Sequence, residues 1–106
     1  MTPLTKEWVD KAEGDFASLV REIRARKSPI HDAACFQAQQ CAEKYLKARL
    51  NESSVAYSRT HDLLALLALT LSIEPSWTTL APNLAALNPY GVRFRYPGDW
   101  ADRDEP

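Results

Sequence analysis

The stretch His31–Leu50, HDAACFQAQQCAEKYLKARL, decides how the rest of the chain is read. It holds no Gly or Pro and is rich in strong helix formers. Ala34, Ala38, Cys41, Ala42, Tyr45 and Leu46 recur at helical spacing and fall on one broad stripe. Gln39, Glu43 and Lys47 form a second row, each one helical turn from the next. Glu43 precedes Lys47 in the favourable order for an i,i+4 pair, worth only a few tenths of a kcal/mol on an exposed face. The alanines imply a neighbouring helix that approaches closely, so this is the central helix of a small bundle.

Upstream, Thr2 or Thr5 can cap a first helix, with Pro3 suited to its opening turn. Leu4, Trp8, Ala12, Phe16, Leu19, Val20 and Ile23 give that helix an apolar stripe, and Gly14 weakens its middle without breaking it. Its end is basic, with Arg21, Arg24, Arg26 and Lys27, which suits the helix dipole and also suits a phosphate or an acidic partner. Ser28 and Pro29 then break the chain, and Ser28 or Asp32 caps the central helix. The connection is short enough to make the two helices antiparallel neighbours.

Downstream, NESSVAYSRT reads as a polar turn, and Ser58 or Thr60 caps a third helix with His61 and Asp62 in its first turn. Leu63, Leu64, Leu66, Leu67, Leu69 and Leu71 make it apolar nearly all round, so it is expected to be buried or to lie at an interface. Pro75 ends it. A short fourth helix follows over Trp77–Leu87, and Pro82 should kink it or move its start to about that residue. From Asn88 the chain turns rich in Pro, Gly and aromatics. The expectation is an all-α up-and-down bundle of four helices over residues 1–90, with an extended or partly disordered tail over 91–106, in a single domain.

A net charge of −1 over 106 residues sets up no global field towards nucleic acid or membrane, so any such site must be a local patch. Cys35 and Cys41 lie on one helix but on different sides of it, so they cannot bridge each other, and their spacing is not a metal spacing. They read as buried, reduced thiols of a cytoplasmic protein. The first ten residues lack the apolar run of a signal peptide, and Leu63–Leu71 is too short to span a bilayer. No Gly-rich phosphate loop, Ser/His/Asp set or metal motif appears, and no metal or other cofactor is expected.

Three groups carry candidate chemistry. Arg26 and His31 have Arg-x4-His spacing, the pair a metal-independent ribonuclease uses to hold phosphate and move a 2′-hydroxyl proton, although Pro29 lies between them. His61, at a helix start, suits either a structural hydrogen bond or a ligand contact. Arg93, Phe94, Arg95 and Tyr96 form the clearest patch. In an extended segment the two arginines project together, and aromatics of this kind either stack on bases or pin the segment to the bundle.

Taken in order, AACFQAQQCAEKYLKARL, RTHDLLALL and YGVRFRYP resemble the HEPN domain family, the "higher eukaryotes and prokaryotes nucleotide-binding" fold. The resemblance covers most of the chain, and FQAQQCAEKYLKA is its most specific part. It implies an all-α bundle that commonly dimerises, binds nucleotide or RNA, and pairs with a minimal nucleotidyltransferase in a toxin–antitoxin-like system. Many other HEPN proteins are ribonucleases with Arg-x4-6-His at the start of a late helix. Here no histidine follows Arg93 and Arg95, and the RYP stretch, after which the family is expected to continue into a last helix, is followed by GDWADRDEP. Residues that match the family motifs are Gln39, Gln40, Glu43, Lys44 and Lys47, then His61, then Arg93, Arg95 and Tyr96. The expected site is one cleft in which Glu43 orients Arg95 and Lys47, with His61 nearby. Two alternatives stand beside this binding module: a ribonuclease using His31 or His61 with an arginine, and a structural dimerisation domain.

Overall fold

A computed structural model describes residues 1–25 and 31–93. Two long helices, α1 (Pro3–Ala25) and α2 (His31–Glu52), are followed by α3 (Leu63–Thr70), a 3-10 helix (Pro75–Leu80), α4 (Ala81–Leu87) and the single turn α5 (Tyr90–Arg93). The described residues hold no strand.

The ends of these helices follow local chemistry. Thr2 caps α1: its hydroxyl accepts from the Thr5 amide at 3.1 Å, and Pro3 takes the first helical position, where a missing N–H costs nothing. At the far end of α2, Val55 N–H bonds Leu50 O and Ser54 N–H bonds Asn51 O, with Ser54 left-handed at φ 57°. That is a Schellman ending, and it carries α2 two residues past Leu50. The cap of α3 differs from expectation. Asp62, not Ser58 or Thr60, is the N-cap, its carboxylate accepting from Leu64 and Ala65 N–H at 3.0 and 3.3 Å. Thr60 acts one step earlier, where its hydroxyl accepts from Asp62 N–H. A carboxylate is the stronger acceptor and sits where the helix dipole favours it. Pro82 does move the start of α4, to Ala81, and the Trp77 region ahead of it takes the tighter 3-10 form.

α1 and α2 are antiparallel, since Asn51 bonds Thr2 and Thr5 at one end and Lys44 pairs with Asp15 further along. Ala12 is fully buried between them, which lets the alanine-rich α2 come close. The core lies on the other side of α2, where Leu46 and Leu50 meet Leu63, Leu66 and Leu67 of α3 and Leu84 of α4. Burying each such leucine is worth about 1.5–3 kcal/mol.

The apolar stripe of α1 is only partly covered, because Leu4, Phe16 and Ile23 are each about half exposed. Leu64 and Leu69 of α3 also face outwards, since one short helix presents only one face to α2. And the chain is not extended from residue 91: the backbone stays helical through Arg93. Neither cysteine forms a disulfide; Cys41 is buried, but Cys35, expected to be buried, is only half-buried. Among the described residues no helix is long and apolar enough to cross a membrane.

Candidate functional site

Gln39, Glu43 and Lys47 form one row on α2, and the row faces inwards. Gln39 is fully buried, and Glu43 and Lys47 are 4% and 6% exposed. Their pairing is therefore not the weak surface pair that spacing suggests. Lys47 Nζ donates to Glu43 Oε2 at 2.9 Å, and Gln39 Nε2 donates to Glu43 Oε1 at 3.1 Å. His61, on the loop before α3, places Nδ1 3.0 Å from Oε2 and 3.2 Å from Oε1 of the same carboxylate. The second hydrogen of the Gln39 amide goes to the His61 carbonyl at 3.1 Å, and its oxygen accepts from Gln40 Nε2. Gln39 thus ties the carboxylate and the backbone of the loop to one point.

Burial alone would raise the Glu43 carboxyl, because it disfavours the charged form. The bonds from Lys47, His61 and Gln39 together outweigh it, and the carboxyl is held below the usual glutamate range. Glu43 is therefore ionised at neutral pH. An ionised carboxylate only accepts, so His61 Nδ1 carries the proton shared with it. In neutral His61 that leaves Nε2 as an acceptor.

Lys47 is enclosed from the other side by α1. Its Nζ lies 5.3 Å from the centroid of the Trp8 ring, and the Trp8 indole N–H donates to Tyr57 Oη at 3.0 Å. A cation over a ring face, away from water, is worth about 2 kcal/mol.

His61 is the member of the network that reaches the surface, its side chain 40% exposed. It opens into a cleft of about 610 Å³ whose lining includes Arg59, Asp62, Ala85, Asn88 and Pro89. Asn88 holds the wall of this cleft. Its amide donates to Asp62 Oδ1 at 2.9 Å and its oxygen accepts from Leu63 N–H at 2.8 Å. The Asn88 bond foremost, with those from Ala65 and Leu64 N–H, holds the Asp62 carboxyl below its usual range. The Asn88 oxygen and the Asp62 carboxylate together take up the N–H groups of Leu63, Leu64 and Ala65 at the start of α3.

The α5 turn closes on the same network. A Cβ at Gly91 would lie 2.7 Å from Gln39 Cδ and still nearer its nitrogen, so a side chain there would displace the Gln39 amide or the turn.

Of the residues read from the sequence, Gln39, Glu43, Lys47 and His61 come together. Arg93 ends α5. Arg95 and Tyr96 lie outside the described residues, as does Arg26, and His31 opens α2. Trp8, Tyr57, Arg59, Asn88 and Gly91 belong to the site and were not among the candidates. Trp8 lies in the apolar stripe of α1, and Arg59 and Gly91 lie inside the RTHDLLALL and YGVRFRYP stretches, but none of them has a spacing that marks it as a site residue. No group of His, Cys, Asp and Glu among the described residues is placed to hold a metal ion.

No curated protein and no solved structure matches the chain. A family model does: the HEPN domain matches residues 5–105, nearly the full length and with all three motif stretches inside it, so the protein belongs to the HEPN domain family.

Proposed function

We propose that the protein binds nucleotide or RNA phosphate at the cleft beside His61 and pairs with a minimal nucleotidyltransferase in a toxin–antitoxin-like system, as a homodimer. HEPN membership fits a nucleotide- or RNA-related function at the family level. The observation that carries the reading to this cleft is the Glu43–His61 contact. A buried carboxylate and ammonium contribute little net stability over well-packed apolar residues, so a fold gains little by keeping them for stability alone. Here they hold one exposed imidazole in a single orientation at the mouth of a cleft that also contains Arg59. Lys47 acts through Glu43, being itself enclosed. Arg93, Arg95 and Tyr96 follow directly after the cleft wall and supply further phosphate and base contacts.

One observation favours the ribonuclease reading as second. With Nδ1 held by Glu43, neutral His61 offers Nε2 as a base for a 2′-hydroxyl, and Arg59 shares its cleft.

Fluorescein-labelled single-stranded RNA, titrated with protein in the presence of chelator and followed by anisotropy, tests both. Binding weakened about tenfold by His61→Ala and by Arg95→Ala, with circular dichroism unchanged, supports the first reading. Cleavage on a denaturing gel that His61→Ala abolishes establishes the second. Neither binding nor cleavage by the unaltered protein leaves the structural dimerisation domain. Co-purification with a co-expressed minimal nucleotidyltransferase tests the partner.

A further inference from the structure

Gly91 and Gln39 meet where two parts of the molecule that are separate in sequence must agree. Gln39 is fully buried, both hydrogens of its amide are used, and its oxygen is bonded to Gln40. An end-group with these bonds cannot turn aside without giving some of them up, although glutamine is otherwise a flexible side chain. Gly91 sits on that amide with no room for a methyl group, and its own N–H donates to Asn88 O at 3.2 Å. Asn88 in turn is anchored to Asp62 and Leu63 at the start of α3. The α5 turn is therefore seated at two points, and both lead to the loop that carries His61.

We propose that Gly91 is a positioning residue: its seat on the Gln39 amide couples the α5 turn, which ends at Arg93, to the buried Glu43–His61 pair. The inference rests on the binding reading for its purpose but not for its test. When the turn is seated, the amide is held where it bridges Glu43 and the His61 carbonyl. When the turn lifts, the amide is free to turn away, and the carboxylate and the loop lose their common tie. Anything that engages the α5 turn would thereby act on the orientation of His61, and a ligand at His61 would act on that turn by the same amount.

The test compares Gly91→Ala, Gln39→Ala and the double variant with Gly14→Ala, the same chemical change in open space on α1. Three quantities are read: amide hydrogen exchange at residue 91, the titration midpoint of the Glu43 carboxyl by carbon NMR, and affinity for the labelled RNA. Gly91→Ala is expected to speed exchange at residue 91 about tenfold and to move the Glu43 midpoint upwards, while Gly14→Ala does neither. In the double variant the added methyl occupies the space the amide vacates. Exchange at residue 91 is then slower than the product of the two single effects predicts. Should Gly91→Ala fail to fold, Gln39→Ala alone must speed exchange at residue 91 more than in the first turn of α1. Single effects that simply multiply, or an exchange increase spread evenly over the chain, overturn the coupling. RNA that binds no variant, including the unaltered protein, overturns the binding reading and leaves the first two readouts to decide this one.

Discussion

His61 Nδ1 lies 3.0 Å from Oε2 of Glu43, eighteen positions earlier in the chain, and this contact joins an open cleft to a charge pair that water scarcely reaches. Neither residue accounts for the other locally. Glu43 is set by the period of α2, and His61 by the loop that Thr60, Asp62 and Asn88 shape ahead of α3. Because the carboxylate is ionised, its removal has consequences for stability as well as for orientation of the imidazole.

Glu43→Gln keeps the shape but leaves Lys47 as a buried cation without its counter-charge. The expected cost is about 3 kcal/mol, the range found when one partner of a buried pair is removed. Chemical denaturation at neutral pH measures it. A loss under about 1 kcal/mol would mean that water reaches Lys47 freely.

The same carboxylate makes stability depend on acid. The folded-state pKa of Glu43 is below its unfolded value, so its contribution is fully present above about pH 4.3 and is lost as pH falls through the folded value. Asp62 acts in the same direction from about pH 3.9 downwards. Denaturant midpoints between pH 6 and pH 3 should fall more steeply for the unaltered protein than for Glu43→Gln. Parallel curves would assign acid lability to other groups.

Asp62→Ala removes the N-cap of α3 and the partner of the Asn88 amide. A cap of this kind is worth about 1 kcal/mol, which for a chain of this size lowers Tm by about 5 °C. Asp62→Asn should recover most of the loss, since an amide oxygen can still accept from Leu64 and Ala65. Equal melting of the alanine and asparagine variants would refute the capping role.

Gly14→Ala should stabilise the protein by about 0.5–1 kcal/mol. Gly14 lies inside α1, where glycine costs backbone entropy, and a Cβ there meets nothing within 4 Å. A destabilisation on equilibrium unfolding would show that this face of α1 is covered in solution.

Much of this was legible in the sequence where the physics is local. The break-free run of α2, the proline at the start of α1, the delayed start of α4 at Pro82 and the row of Gln39, Glu43 and Lys47 all follow from period and turn chemistry. The motif stretches also pointed to the HEPN family, which the match over residues 5–105 bears out. The α3 cap was misplaced because Ser58, Thr60 and Asp62 are all competent caps, and only the path of the loop chooses among them. The α5 turn was read as extended because Tyr-Gly-Val-Arg has no helical preference of its own; the seat on Gln39 accompanies its helical form.

The sequence by itself determined which residues share a helix face, because helical period is a property of the chain alone. What that face meets was decided only by the tertiary structure. A row of Gln, Glu and Lys reads as a solvated stripe unless distant residues enclose it, and here Trp8 of α1, Tyr57 and His61 of the loop before α3, and Gly91 of α5 lie near it from three other segments of the chain. Their approach turns a pair worth tenths of a kcal/mol in water into a buried network, because the strength of an ion pair is set by the dielectric around it. That environment is supplied by contacts between segments far apart in sequence.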